Sequence, residues 1–166
     1  MVEAQMARSD QISSNETGFS NLVYGVQFFF GGWFLFHGAN FFLHFFHQPP
    51  GSSVPSHLLI AALIQSGLFN WVKIIEILVG IALLANRFVP LAIVAAFPIT
   101  FVIAYDNVAL NQDTFSHIVA VVIVAFNLIM ALGYLETYLP MLAFNAGTPS
   151  ARGLATLFRG HSPRIK

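Results

Sequence analysis

The sequence contains no cysteine, and only 8% of its 166 residues are charged. Without cysteine the chain cannot form disulfides, use a thiolate, ligate an iron–sulfur cluster or build a cysteine zinc site. Soluble domains carry roughly 25% charged residues, so this chain has too few charges to cover a water-facing surface. Its net charge is zero and no basic block accompanies an aromatic cluster, which leaves nucleic-acid binding without support.

Apolar residues take the place of the missing charges, because 57% of the chain is hydrophobic and the mean hydropathy is +0.74. We therefore expect an all-α integral membrane protein whose partner is the lipid bilayer. Four stretches reach spanning length and predict a four-transmembrane-helix bundle: about 21–46, about 69–86, about 88–105 and about 115–139. Between the first two, the apolar part of segment 56–70 is too short to cross and predicts an interfacial or re-entrant half-helix.

Proline, asparagine and aspartate mark the boundaries of these spans. The segment HQPPGSSVPS at 47–56 cannot continue a helix, because its prolines lack N–H donors and clash with the preceding turn. Asn86, followed by Pro90, predicts a helix end, a tight turn and a new start. Asp113 or Thr114 is predicted to cap the N-terminus of the last span.

The two ends of the chain are polar and set the expected orientation. Residues 1–20 lack the positively charged region and the short apolar region of a signal peptide, and they predict a disordered tail before the membrane domain at 21–140. The tail at 141–166 is basic, and Arg87 lies in the short turn between spans two and three. The positive-inside rule therefore predicts that both termini are cytoplasmic. The half-helix and the connection between spans three and four would then face the exterior.

Polar residues recur along span one. At about 100° per residue, Trp33, His37, Asn40, His44 and His47 fall within a stripe of about 80°. Polar groups that face lipid go unsatisfied, so this stripe must face other helices or a wet cavity. His37 lies deepest among the histidines and needs either a partner or a ligand.

Lys73 and Glu76 lie three residues apart in the first turns of span two, with Gly80 beneath them on the same face. They are read either as a plain ion pair or as a functional site, because intramembrane ionisable groups are rare and costly. By depth, we expect one outer layer to contain His44, His47, Lys73, Glu76, Asp106 and His117.

Two other features predict contacts between helices. Gly25, Gly32 and Ala39 recur every seven residues, which predicts a close-packing edge on span one. Asn127, midway along span four, is predicted to form a hydrogen bond to a neighbouring helix.

The chain resembles the DoxX-like family of small bacterial membrane proteins. The resemblance rests on FFFGGWFLFHGANFF in span one, IQSGLF at the end of the half-helix, WVKIIEILVGIALL in span two and NRFVPLAIVAAFPI at the start of span three. It covers about residues 20–140 and implies a four-helix bundle in the bacterial inner membrane, associated with quinone-linked redox complexes. By motif match, Lys73, Glu76 and Gly80 carry over as a polar site. The histidine stripe and the basic tail depart from the pattern, and direct thiol exchange is excluded because cysteine is absent.

Three functions remain open. The first is a subunit of a quinone-linked membrane complex, in which Glu76 or a histidine accepts a proton from a quinol and Lys73 donates to its carbonyl. The second is a non-catalytic accessory subunit that packs on other membrane proteins. The third is a transporter of protons or small solutes in which Lys73, Glu76 and Asp106 act as a relay, with further copies of the chain completing the pathway.

A sharper version of the redox hypothesis gives the histidines a cofactor. His37 or His44 would ligate a haem or chlorin, and two-histidine ligation would need a second residue such as His117. The spacing of acidic residues and histidines does not match the helical repeats of di-metal sites, so no metal centre is predicted.

Overall fold

The computed structural model describes residues 2–47, 51–111 and 113–142, and every regular element in these ranges is helical. Six α-helices follow one another there: α1 Val2–Leu43, α2 Val54–Gln65, α3 Leu68–Leu84, α4 Val89–Tyr105, α5 Thr114–Gly133 and α6 Leu135–Tyr138. A π-helical turn, Asp106–Leu110, continues α4, and a 3-10 turn, Leu139–Leu142, follows α6. The prediction of an all-α chain is confirmed.

The junction between α3 and α4 has the predicted form. The Asn86 N–H donates to the Leu83 carbonyl at 3.1 Å and the Arg87 N–H donates to the Ala82 carbonyl at 2.9 Å, the two hydrogen bonds of a Schellman cap. Asn86 has a φ of 51°, in the left-handed region that asparagine tolerates better than most residues. Pro90 then lies in the first turn of α4, where its missing N–H has no helical partner to lose.

The first helix extends well beyond the predicted span. The sequence predicted a disordered tail over 1–20, whereas α1 begins at Val2 and contains 42 residues. Adding a residue to an existing helix gains one hydrogen bond without a new nucleation cost. The tail also contains Ala, Gln, Glu and Met, which are good helix formers. An apolar helix that is already stable can therefore propagate into this polar segment.

Four helices surround one apolar core. Helix α1 contacts α3 and α5, and α4 contacts the same two helices from the opposite side. The largest fully buried apolar side chains are Phe30, Phe34, Leu83 and Met130. The rings of Phe30 and Phe34 stack with their centroids 4.3 Å apart. These aromatic rings determine which face of α1 points inward.

Glycines allow α1 and α3 to lie close together. A Cβ added at Gly80 would be 2.6 Å from the Leu35 backbone nitrogen and 2.7 Å from the Gly31 carbonyl oxygen. A Cβ at Gly38 would be 3.0 Å from the Lys73 carbonyl oxygen. At Gly80, the backbone of α1 itself therefore lies against α3.

The close-packing edge on α1 differs from the predicted one. A Cβ added at Gly25 or Gly32 would meet nothing within 4 Å in the described part of the chain. Gly31 and Gly38, which are also seven residues apart, face α3 instead. Both sets satisfy the same spacing, so periodicity alone does not identify the inner face. Burial of Phe30 and Phe34 decides it.

Polar side chains join the helices at two levels. In the middle of the bundle, Asn127 donates to the Thr100 hydroxyl at 3.4 Å, which confirms the predicted contact between helices. At the end where α3 meets α4, Gln27 is fully buried and donates to the Leu83 carbonyl at 2.9 Å. The Tyr134 hydroxyl donates to the side-chain amide oxygen of Gln27 at 2.7 Å. Tyr134 follows the end of α5 at Gly133, so this bond holds the turn that shortens the predicted span of 115–139.

Three helices are long and apolar enough to cross a membrane: Ser14–Leu43, Val89–Leu110 and Thr114–Gly133. Helices α2 and α3 meet this criterion only as a pair, with an 88° bend between them. Gly67 lies at the bend with a φ of 76°, a conformation that glycine adopts without strain. The described residues thus offer three crossings, or four if the bent pair forms one span. A short helix, α2, occupies the position of the predicted half-helix.

Candidate functional site

Lys73 and Glu76 form a closed ion pair on the first turns of α3. The Lys73 Nζ lies 3.0 Å from Oε1 and 2.8 Å from Oε2 of Glu76. Three residues of separation place both side chains on one helix face, and they are only 5% and 3% exposed. The ammonium also lies 5.0 Å from the centroid of the Phe69 ring, within the range of a cation–π contact. Each charge therefore has a partner inside the bundle.

The backbone of α1 covers this pair. A Cβ at Gly38 would be 3.1 Å from the Glu76 Cβ and 2.9 Å from the Ile77 Cγ1. Such a close approach leaves no gap for a ring-sized ligand between α1 and the pair on this side. Gly80, one turn further along α3, extends the same close contact. The close contact joins α1 to α3, and the ion pair beneath it neutralises the charges of Lys73 and Glu76.

His37 lies near the pair, on the neighbouring helix, in an aromatic environment. Its ring centroid is 4.3 Å from that of Trp33, and the Phe46 ring stands edge-on at 5.6 Å. The ring is half-buried and lies within electrostatic range of the Lys73 charge. Among the described residues, His37 has no hydrogen-bond partner, yet no buried side-chain nitrogen or oxygen lacks one. The His37 nitrogens are therefore reachable from outside the bundle.

Asn40, near the end of α1, positions Phe46 beside His37. Its amide donates to the Phe46 carbonyl at 3.1 Å and accepts from the Phe46 N–H at 2.9 Å. The chain turns back at His44, whose φ is 54°. Helix α1 therefore ends at Leu43, and His44 and His47 leave the predicted stripe and are exposed. The sequence gives one signal for this turn, an asparagine shortly before the proline-rich segment.

A second polar cluster connects the start of α2 to the turn between α4 and α5. The Asp106 carboxylate accepts from the Ser56 hydroxyl at 2.7 Å and from the Asn111 amide at 3.0 Å. The side-chain amide oxygen of Asn111 accepts from the Ser52 hydroxyl at 3.0 Å and the Ser53 N–H at 3.1 Å. We name this group, Ser52, Ser53, Ser56, Asp106 and Asn111, the outer latch. The serines and Asn111 are not among the residues predicted from the sequence.

Of the two predicted caps, Asp113 rather than Thr114 caps α5, and its side chain extends the outer latch. Its carboxylate accepts from the Ser116 N–H at 2.9 Å and the Ser116 hydroxyl at 2.6 Å. It also accepts from the Ser52 hydroxyl at 2.9 Å. These hydrogen bonds favour the ionised carboxylate. They lower the pKa of Asp113 from its ordinary value of 3.8 to about 2.

The Asp113 cap predicts a loss of stability in acid. Because the folded-state pKa lies below the unfolded one, the stabilisation is present above about pH 3.8 and lost as the pH falls towards about 2. We expect the melting temperature of the protein in detergent to fall across this window more steeply than that of Asp113→Asn. Asparagine caps helices comparably but does not titrate. Equal slopes for the two proteins would contradict the prediction.

In the structure, the six residues that were predicted to form one outer layer belong to separate groups. Lys73 forms an ion pair with Glu76, whereas Asp106 belongs to the outer latch. In the described ranges, no hydrogen bond or ion pair joins these two groups, and the exposed side chains of His44 and His117 form none. Within the same residues, no three His, Asp or Glu side chains group closely enough to hold a metal ion. Nothing described pairs His37 or His44 with a second haem ligand.

Comparisons of the chain with protein-family models, with curated proteins and with solved structures give no significant match.

Proposed function

We propose that the chain is a multi-pass protein of the bacterial inner membrane that crosses four times, with both termini in the cytoplasm. Three apolar helices and the bent pair α2–α3 support this proposal. Large apolar side chains also cover the outside of the bundle, with Phe101 and Val121 64% and 67% exposed. Such a surface is costly in water and favourable in lipid. Arg87, at the end opposite the outer latch, supports the orientation.

Within the membrane, we propose that the chain is the quinone-binding subunit of a redox complex, the role that its resemblance to DoxX-like proteins implies. The observation that carries this proposal is His37. It is a hydrogen-bonding ring in an apolar helix, with no partner in the described part of the chain and nitrogens that are reachable from outside. An unsatisfied polar group at this depth is costly. A quinol hydroxyl would satisfy it, and electron carriers would belong to the partner subunits.

This proposal changes the roles expected for Lys73 and Glu76. Both oxygens of Glu76 already accept hydrogen bonds from Lys73, and α1 packs against the pair. Neither side chain is free to bind a quinol without opening the interface. We therefore assign the pair to the stability of the bundle, and we assign quinol recognition to His37.

An accessory subunit without catalytic activity is the second candidate. The same closed pair favours it, because every buried side-chain nitrogen and oxygen in the described residues has a partner. A protein of this kind would contribute only packing surface to a larger assembly. The accessory role, however, gives no function to the reachable nitrogens of His37.

Native mass spectrometry of the protein, taken from its own membranes in mild detergent, tests both candidates. We expect it to co-purify with redox-active subunits and to retain a quinone. Partner subunits without a quinone, in a complex that lacks quinone-linked activity, would favour the accessory role. A bare homo-oligomer without ligand would exclude both, and vesicle uptake assays would then examine the transporter hypothesis.

A further inference from the structure

We propose that Trp33 and His37 form the headgroup site for a planar ring that carries carbonyl or hydroxyl groups, an inference that rests on the proposed quinone-linked function. The two residues are four apart on α1, so their side chains lie on one helix face. Their ring centroids are 4.3 Å apart. Trp33 is exposed and His37 is half-buried, so the site opens to the outside of α1, whereas Lys73 and Glu76 are buried inside the bundle.

The two side chains provide complementary hydrogen-bonding groups. The Trp33 indole N–H is a donor, and a neutral imidazole has one nitrogen that accepts. Neither residue forms a hydrogen bond in the described part of the chain, and Trp33 is 44% exposed. A quinone carbonyl can accept from the indole, and a quinol hydroxyl can donate to the imidazole. A plain acyl chain would leave both groups unsatisfied.

The depth of the site fits a lipid-soluble ring. His37 lies six residues before the end of α1 at Leu43, about 9 Å along the helix axis at 1.5 Å per residue. Lipid tails offer no hydrogen bonds to the polar groups of the site, so a ligand that forms them would compensate these groups. A headgroup attached to an apolar tail can reach this position from the bilayer.

The turn after α1 closes one side of the site. The Phe46 ring stands edge-on to His37 at 5.6 Å, and the two hydrogen bonds between Asn40 and the Phe46 backbone hold it there. The Phe36 ring contacts both His37 and Phe46. Aromatic edges of this kind favour a second ring at offset or edge-to-face geometry. The chemistry of the walls therefore matches a flat ring better than a flexible chain.

The chain has two tryptophans, so the fluorescence of each can be recorded alone in a variant that lacks the other. Trp71→Phe leaves Trp33 as the only indole, and Trp33→Phe leaves Trp71, which is 65% exposed on α3. Each single-tryptophan protein, in detergent, is titrated with a decyl-substituted benzoquinone while its fluorescence is recorded. We expect saturable quenching of Trp33. We expect quenching of Trp71 to rise linearly, as collisions with partitioned quinone require.

Substitution of His37 in the Trp33-only protein isolates the hydrogen bond. His37→Leu is expected to weaken saturable binding about tenfold, as the loss of one hydrogen bond in an apolar setting implies. His37→Gln keeps an acceptor and is expected to retain saturable quenching. Unchanged melting temperatures show that both variants fold. Linear quenching of Trp33, or binding that is unaffected by His37→Leu, would overturn the proposed site.

The result separates the site from the function it rests on. If the purified complex retains a quinone and quinone-linked activity while Trp33 is quenched only linearly, the location is wrong and the function stands. If Trp33 binds the benzoquinone saturably but no redox subunit co-purifies, the location stands and the function is wrong.

Discussion

Replacing Glu76 with leucine is expected to lower the free energy of unfolding by about 3–5 kcal/mol. The substitution leaves the Lys73 ammonium 5% exposed and without its carboxylate, and an uncompensated buried charge is more costly than the lost attraction. The measurement is unfolding by SDS in mixed micelles, followed by circular dichroism. Glu136→Gln is the matched control, because Glu136 is an exposed acid on α6 and its neutralisation should change stability little.

The double variant Lys73→Met/Glu76→Leu distinguishes a structural pair from a chemical one. Replacing both members of a buried ion pair with apolar residues of similar size is often neutral or stabilising. We therefore expect the double variant to recover most of the stability lost by Glu76→Leu and to retain quinone binding. A stable double variant that loses quinone binding would indicate that the pair belongs to the functional site and would contradict its assignment to the stability of the bundle.

Gly80→Val is expected to separate α1 from α3. The added Cβ alone would lie 2.6 Å from the backbone nitrogen of Leu35 and 2.7 Å from the carbonyl oxygen of Gly31, and backbone atoms cannot move aside as side chains do. Overpacking of this kind costs about 1–3 kcal/mol. The unfolding free energy in mixed micelles measures the effect. A shift of α1 should also weaken quinone binding, because His37 is on that helix.

Gly32→Ala is the matched control for Gly80→Val, because a Cβ at Gly32 would meet nothing within 4 Å in the described residues. Alanine exceeds glycine in helix propensity by about 1 kcal/mol, so this change should leave stability unchanged or raise it. If Gly80→Val matched Gly32→Ala, the α1–α3 contact would not be close. A loss with Gly32→Ala would instead indicate that another chain packs on the outer face of α1.

The candidate site shows which residues sequence reasoning can find. Lys73, Glu76 and His37 stand out because charged or hydrogen-bonding groups are rare in long apolar segments. The spacing of Lys73 and Glu76 left an ion pair and a functional site as alternatives, and the structure shows the two side chains paired. The serines and Asn111 of the outer latch were missed, because serine and asparagine in a loop are common and their partners lie about 50–60 positions away in the chain.

The sequence by itself determined the all-helical class, the breaks at Asn86 and Pro90, and a cap at Asp113 or Thr114, because composition, backbone conformation and helix capping are local properties. Only the tertiary structure decided that Gly31 and Gly38, rather than Gly25 and Gly32, face α3. It also decided how α1 ends, through two hydrogen bonds between the Asn40 side chain and the Phe46 backbone. The outcome in each case depends on which surfaces meet in three dimensions, and a helical period leaves the inner face undetermined until large side chains such as Phe30 and Phe34 are buried.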